Sequence, residues 1–456
     1  MAHALATDYL AVIVRRRGYP EGCVVGTRST RSIATVALGA VLLAACGGSG
    51  DDDGAAAGEE ATLTVLSFLS EEQFAPVAAA WEQARPEVAL DYQSVPFDEL
   101  NAVIQARAGD GQSDVDVLWV DEPRVASLAS QDILLDLDDH LEVPDGALDE
   151  RAEGAGIFDG GRYSLPLQNS TQFLFYNPEL LEAAGVELPG TAPEDRLTWE
   201  QLREDAEAAQ AAGATWGVVF EQGATPYQVL PLVQSLGGSA GLTGDDLLEP
   251  DLLSDAWIEG LEYFGALHED GVSPRGMGFG ETTATFAAGD AAFVLAGPWN
   301  LGIFDGQDLP FEYGITPQPA FEGGELVTPA GSFHVGVSAS TDAVEAAVDF
   351  AEFLSIDPAG NAALTEGDPN IPANTEVLAD YLGADTFQRG EGATVAELIE
   401  HELTETAVSR PVSVGWVPFE EILGLALEDV RNGQDVRSTL ESATDQIEAA
   451  FARLQG

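Results

Sequence analysis

The chain has 456 residues, 78 of them acidic and 18 basic, for a formal charge of −60, with 45% hydrophobic residues, 8% aromatic residues and two cysteines. That length and apolar content predict two or three structural units around a large core rather than disorder, and the acidic excess argues against a nucleic-acid partner, whose phosphates it would repel. Every basic residue is Arg, and without Lys there is no P-loop, no protein-kinase ATP site and no Schiff-base or pyridoxal-phosphate lysine.

In chain order the first feature is a targeting segment. Arg28 and Arg31 precede an apolar stretch over 33–45, which matches a secretory h-region and is too short to span a bilayer. It ends in Leu43-Ala44-Ala45-Cys46 followed by two glycines, which resembles a bacterial lipobox. That resemblance implies that residues 1–45 are a signal peptide and that Cys46 is lipidated at the mature N-terminus. The segment before Arg28, with Arg15-Arg16-Arg17 and Cys23, is surplus to such a signal, so we expect translation to start nearer Val24 or Val25. Removing 1–45 leaves 13 Arg against 76 acids and Cys46 as the sole cysteine, hence no internal disulfide. A surface so acidic and free of Lys stays soluble where salt shortens the Debye length to about 3 Å at 1 M, and we read it as adaptation to a saline habitat.

Residues 46–61, GGSGDDDGAAAGEEA after Cys46, are small and acidic and predict an extended flexible tether. Asp51-Asp52-Asp53 lacks the rest of a calcium-loop pattern, and no metal or cofactor is expected. The folded body then begins with a β-rich run over 62–68 and a helix over 71–85 with Phe74, Val77, Ala78 and Trp81 on one face. A strand over 89–94, a helix over 96–108 and a buried strand over 115–120 follow. This alternation predicts a parallel sheet in an α/β fold. Ligands of such sheets sit at the carboxyl ends of strands, which makes Ser67, Phe68, Glu71, Asp121 and Glu122 candidates, with helix capping as the competing role for the acids.

Further segments carry a resemblance. DVDVLWVDEPRVASLASQDILLDLDD (114–139), GRYSLPLQNSTQFLFYNPELLEAAG (161–185), LTWEQL (197–202), FAAGDAAFVLAGPWN (286–300), YGITPQPAF (313–321) and AVEAAVDFAEFLS (343–355) follow one another in the order and spacing of a known family, completed by Asn370-Ile371-Pro372-Ala373 and 413–419. They resemble the extracellular solute-binding proteins of ABC importers, the family that includes maltose-binding protein. The resemblance implies a two-lobe periplasmic-binding-protein fold of type II character, a hinged clamp with the ligand between the lobes. It places lobe one at 62–168 and 321–355 and lobe two at 169–320 and 356–456, with 313–321 as the returning crossover. It also implies a monomeric, non-enzymatic receptor, lipid-anchored at the outer face of the cell membrane, that hands a sugar to the transmembrane subunits of a permease.

Sugar recognition needs flat apolar faces for C–H surfaces and planar polar groups for hydroxyls. Trp299 follows Gly297-Pro298 at the end of a predicted strand over 291–296 and matches the family's platform aromatic. Tyr227, in Thr225-Pro226-Tyr227-Gln228, matches a pocket aromatic of the second lobe, and Trp416 stands where the family often stacks a ring. The polar candidates are Asp121, Glu122, Gln168, Asn169, Ser332 and Asn370. Val120 stands where the maltose-binding pattern has an aromatic, which implies a different, shorter sugar. His334 reads as a packed strand residue rather than a metal ligand.

Other readings remain open at this point. Gly237-Gly238-Ser239-Ala240-Gly241 fits a nucleophile elbow literally, but such an elbow needs a strand before it and a helix after it. No H-E-x-x-H occurs and the five His are scattered. A glycosidase needs only two carboxylates, and nothing in the sequence singles out a pair. Polyamines would suit the acids. Phosphate ligands fit poorly, because Arg124 and Arg410 are the nearest cations to the candidate segments.

Overall fold

Strand Ala61–Ser67, helix Glu71–Ala84, strand Val88–Ser94, helix Leu100–Ala108 and strand Val117–Asp121 follow one another in the order that the apolar patterning predicts. The structure, a computed structural model, describes residues 61–97, 99–108, 114–278, 280–307, 309–331 and 333–454. Cys46, most of the expected tether and Ser332 therefore lie outside the described residues. No helix of the described residues is long and apolar enough to cross a membrane.

The three strands are parallel, with Ala61 opposite Val88 and Val65 opposite Val117. Phe333–Val337 adds antiparallel to Val117–Asp121, and Leu165–Pro166 closes the other edge of this five-stranded sheet. Val117 to Val120 are all buried, as a strand covered on both faces requires. Ser70 caps helix Glu71–Ala84 in a reciprocal box with Gln73, and the helix lays Phe74, Val77 and Trp81 on the sheet. Together they form the core of the first lobe with Trp119, Phe350 and Leu364.

The second lobe is built on a four-stranded sheet in the order Gly314–Pro317, Phe173–Tyr176, Ala291–Ala296, Trp216–Phe220. All six residues of Ala291–Ala296 are buried at its centre. Side chains alternate across a strand, so Phe173 and Phe175 enter one core while Leu174 and Tyr176 enter the other. Helices Trp199–Ala212, Pro226–Ser235, Asp255–Glu269, Trp416–Arg431 and Val436–Leu454 cover the Leu174 face with Trp199, Trp257, Leu232, Phe419 and Leu440. The chain around Ser239 is a loop after helix Pro226–Ser235, with Ser239 Oγ donating to Asp251 at 2.8 Å, so it is not a strand-to-helix elbow.

Three passages link the lobes, and two of them differ from the boundaries drawn on sequence. The first runs through Gln168–Asn169, a strand pair with Ile371–Pro372. The return does not lie at 313–321: Gly314–Pro317 is a strand of the second sheet, and Thr328–Ala330 pairs with Ala407–Ser409. The chain crosses back between Ala330 and Phe333, where Gly331 bridges to Ser170. Helix Pro358–Gly367, expected in lobe two, instead sends Leu364 into the first core, and a Cβ on Gly367 would meet the Gln73 carbonyl oxygen at 1.8 Å. The third passage therefore lies at 368–372, after this helix, and not at 356.

Candidate ligand-binding site

These passages and the facing ends of both sheets enclose a cavity of about 520 Å³. Its first-lobe wall is aromatic. Phe68 directly follows strand Ala61–Ser67, Phe333 opens strand Phe333–Val337, and Phe97 stands at the lip, with ring centroids 5.2 Å apart for Phe68–Phe97 and 4.6 Å for Phe68–Phe333. Gln73, from the first turn of helix Glu71–Ala84, joins them.

The facing wall comes from the second lobe and carries Trp299, Ile303, Tyr227 and Gln222. Trp299 opens helix Trp299–Asp305 directly after the central strand. Its indole N–H donates to Glu221 Oε1 at 2.8 Å. Glu221 is fully buried, and burial raises its carboxyl to about 7 against hydrogen bonds from Asn300 and Trp299. Tyr227 lies 2.9 Å from Ser170 Oγ, which itself donates to the Gly331 carbonyl. A hydroxyl has one proton, so Tyr227 is the donor in the first bond. Gln222 is held by its backbone N–H on Gln228, whose amide pairs reciprocally with that of Gln172.

The base of the cavity is polar. Gln168 donates to Asp368 Oδ2 at 2.9 Å, and Asp368, raised by burial despite that bond, also meets Asn370. Asn370 Oδ1 is buried and has no hydrogen-bond partner among the described residues. Asn169 Oδ1 accepts from Arg151 at 2.9 Å. Arg410 grips Asp121 with two bonds, at 2.9 and 2.6 Å, and stands 5.4 Å from the centroid of Tyr227. This bidentate pair crosses between the lobes, and Arg124 to Glu420 is a second such link. The charge of Arg410 is thus matched within the protein, and the cavity presents little net charge.

Of the residues singled out by sequence, Phe68, Asp121, Gln168, Asn169, Tyr227, Trp299 and Asn370 meet at this cavity. Four do not. Ser67 is buried beneath it, its Oγ accepting from Leu69 N–H. Glu71 is exposed on the first turn of its helix. Glu122 is buried inside the first lobe, where burial raises it to about 7 against the pull of Arg410. Trp416 is fully buried against Phe419 at 5.3 Å, because its helix packs that face into the core. His334 is buried as expected, 2.9 Å from Ser164 Oγ, and burial lowers it to about 3. Sequence reasoning missed Gln73, Phe97, Ser170, Gln222, Phe333, Asp368 and Arg410 as lining residues. Phe333 had a legible signal, an aromatic at a strand start two residues after Gly331. Among the described residues no group of three or more His, Cys, Asp or Glu could hold a metal ion.

Two lobes closing on a cavity at their crossovers is an arrangement shared with known proteins. The sequence profile described as bacterial extracellular solute-binding protein matches residues 69–359. The chain belongs to this family. Among its relatives is the maltooligosaccharide ABC transporter solute-binding lipoprotein of Streptococcus pneumoniae, 26% identical over 444 residues that cover 94% of this chain and 98% of the relative. The maltodextrin-binding protein MdxE of Bacillus subtilis is 26% identical, covering 90% of this chain and 93% of its own. The solved ABC substrate-binding protein Lmo0181 of Listeria monocytogenes, in complex with cycloalternan, superposes with a TM-score of 0.75 at 23% identity, covering 86% of this chain and 99% of that one. That likeness shows the shared two-lobe fold. The solute-binding family assignment spans both lobes, since the matched region runs through both sheets.

Proposed function

We propose that this solute-binding protein captures a mono- or oligosaccharide between its lobes and delivers it to the membrane subunits of an ABC importer. The observation that carries the reading is the wall chemistry: carbon-rich rings on both lobes, Phe68, Phe97 and Phe333 facing Trp299 and Tyr227, with amide and carboxylate groups gathered at the crossovers. Rings take the C–H faces of a pyranose, and Gln168, Asn169, Asp368 and Asn370 address its hydroxyls. The relatives named for maltooligosaccharides and maltodextrin support the ligand class. A polyamine would need several unmatched carboxylates, whereas Asp121 is bound to Arg410 and only Asp368 lines the cavity without an ion pair among the described residues. Phosphate would find its one cationic host, Arg410, already occupied. No bond is made or broken in the cycle: lobe closure buries the ligand, and opening releases it. Lipidation at Cys46, with a tether over 46–61 and a monomeric body, completes the reading as an outward-facing receptor.

The test is a thermal-shift screen of the full chain in high salt against mono- and disaccharides, maltodextrins, glycerophosphodiesters and polyamines. Ligands that bind only the folded state raise the melting temperature. A shift restricted to saccharides supports the proposal. Shifts with polyamines or phosphodiesters alone, or none in a folded protein, contradict it.

A further inference from the structure

We infer that Glu221 is a positioning residue for ligand capture, its buried carboxylate holding the Trp299 indole in the pose that the cavity presents. The inference rests on the saccharide reading only for what Trp299 then does. Glu221 lies just beyond strand Trp216–Phe220, is fully buried and does not line the cavity. Its backbone is pinned on both sides, the N–H donating to Leu295 O at 3.1 Å and the carbonyl accepting from Thr282 Oγ1 at 2.9 Å.

The carboxylate then gathers three donors from a single turn between strand Ala291–Ala296 and helix Trp299–Asp305. Oε1 accepts from Trp299 Nε1 at 2.8 Å and from Asn300 Nδ2 at 2.6 Å, and Oε2 accepts from Gly297 N–H at 3.4 Å. No cation faces Glu221 among the described residues, and those three donors are the groups that oppose its burial. A buried carboxylate without a counter-ion is costly, so its retention here is informative. Gly297 supplies an independent constraint. A Cβ there would stand 2.0 Å from the Trp299 ring, so the indole folds back over its own turn in space that only glycine leaves. With its N–H committed to Glu221 and its ring packed on Gly297, Trp299 offers the cavity carbon surface and no donor. Its contribution is then C–H/π contact, and its selectivity is for ring faces over hydroxyl patterns.

The test uses full-length protein labelled with ¹⁵N at the tryptophan indoles, of which the sequence has seven, with Trp299→Phe assigning the resonance of interest. Without any ligand, Glu221→Ala is expected to move the Trp299 indole N–H signal and leave the others in place, while Glu221→Gln, which keeps an acceptor at Oε1, restores it. In titrations with maltotriose, Glu221→Ala should weaken binding roughly tenfold, about as much as Trp299→Ala, and the double variant should be no weaker than either single one. An unmoved Trp299 signal in Glu221→Ala, general movement of all indoles, or additive losses in the double variant would overturn the inference. If the unaltered protein does not bind maltotriose, the titrations use the saccharide that most raises its melting temperature, and the ligand-free indole signal by itself still decides the role of Glu221.

Discussion

Asp121 and Arg410 are 289 positions apart, and each is acceptable at the base of the cavity because the other is there. Both side chains are mostly buried, at 14% and 10% exposure, so removing one leaves the other as an unmatched charge. Arg410→Met should therefore cost about 3 kcal/mol, read as a fall in the urea midpoint, and adding Asp121→Asn should recover part of it. Recovery of nothing would mean that Arg410 acts through packing alone. Glu221 makes a second prediction at this scale. Its folded value of about 7 lies above that of an unfolded Glu, so the proton favours folding at low pH, and the stability is lost as pH rises through 7. For one fully buried group this amounts to roughly 3 kcal/mol between pH 4.5 and 8. Glu221→Gln should flatten the decline in urea midpoint from pH 5 to pH 8, and an unchanged slope would contradict the raised value. The same residues show how legible the site was. Trp299, Tyr227 and Asn370 each directly follow a proline near the start of an element, a break that local sequence already marks. Asp368, between Gly367 and Pro369, and Arg410, before Pro411, stand at such breaks too, but their roles come from Gln168 and Asp121, which are distant in the chain. Trp416 misled for the converse reason: it too follows a glycine, yet the helix that it opens turns that face into the core.

At the scale of elements, the alternation of short apolar runs and amphipathic helices was enough to read the three parallel strands of the first sheet, but not the antiparallel Phe333–Val337 and Leu165–Pro166 that complete it. Continuous apolar strands, as in Val117 to Val120, occur where both faces are covered. Which core a helix joins is a different question. Helix Pro358–Gly367 has an apolar face, but periodicity gives a face without a destination, and only contact with helix Glu71–Ala84 assigns Leu364 to the first lobe. The close approach of Gly367 to Gln73 is the decisive contact, and any Cβ must push the backbones apart. Gly367→Ala should lower stability by about 2 kcal/mol in urea unfolding, and should also weaken ligand binding because Gln73 lines the cavity. Stability equal to that of the unaltered protein would contradict this packing. The return crossover was misplaced for a related reason. The run over 313–321 is β-rich and proline-bearing, as a linker strand would be, yet Ile315 is buried in the second lobe and paired to Phe175.

For the whole molecule, two lobes are joined by three passages, the plan that the resemblance of its ordered segments to the solute-binding family implied. The proposed anchor is separable from this body. Cys46→Ser should shift the protein from the membrane fraction to the medium or periplasmic fraction without altering saccharide affinity, and continued membrane retention would contradict lipidation at this residue. Within that body, a saccharide is proposed to occupy the cavity between Trp299 and the Phe68, Phe97 and Phe333 wall. Calorimetric titration of the saccharide that most raises the melting temperature, into the unaltered protein and into Trp299→Ala, tests it most directly. One saturable site is expected, weakened roughly tenfold or more by the substitution while the protein remains folded. Binding of equal strength in Trp299→Ala, or no saccharide heat with the folded protein, would contradict it.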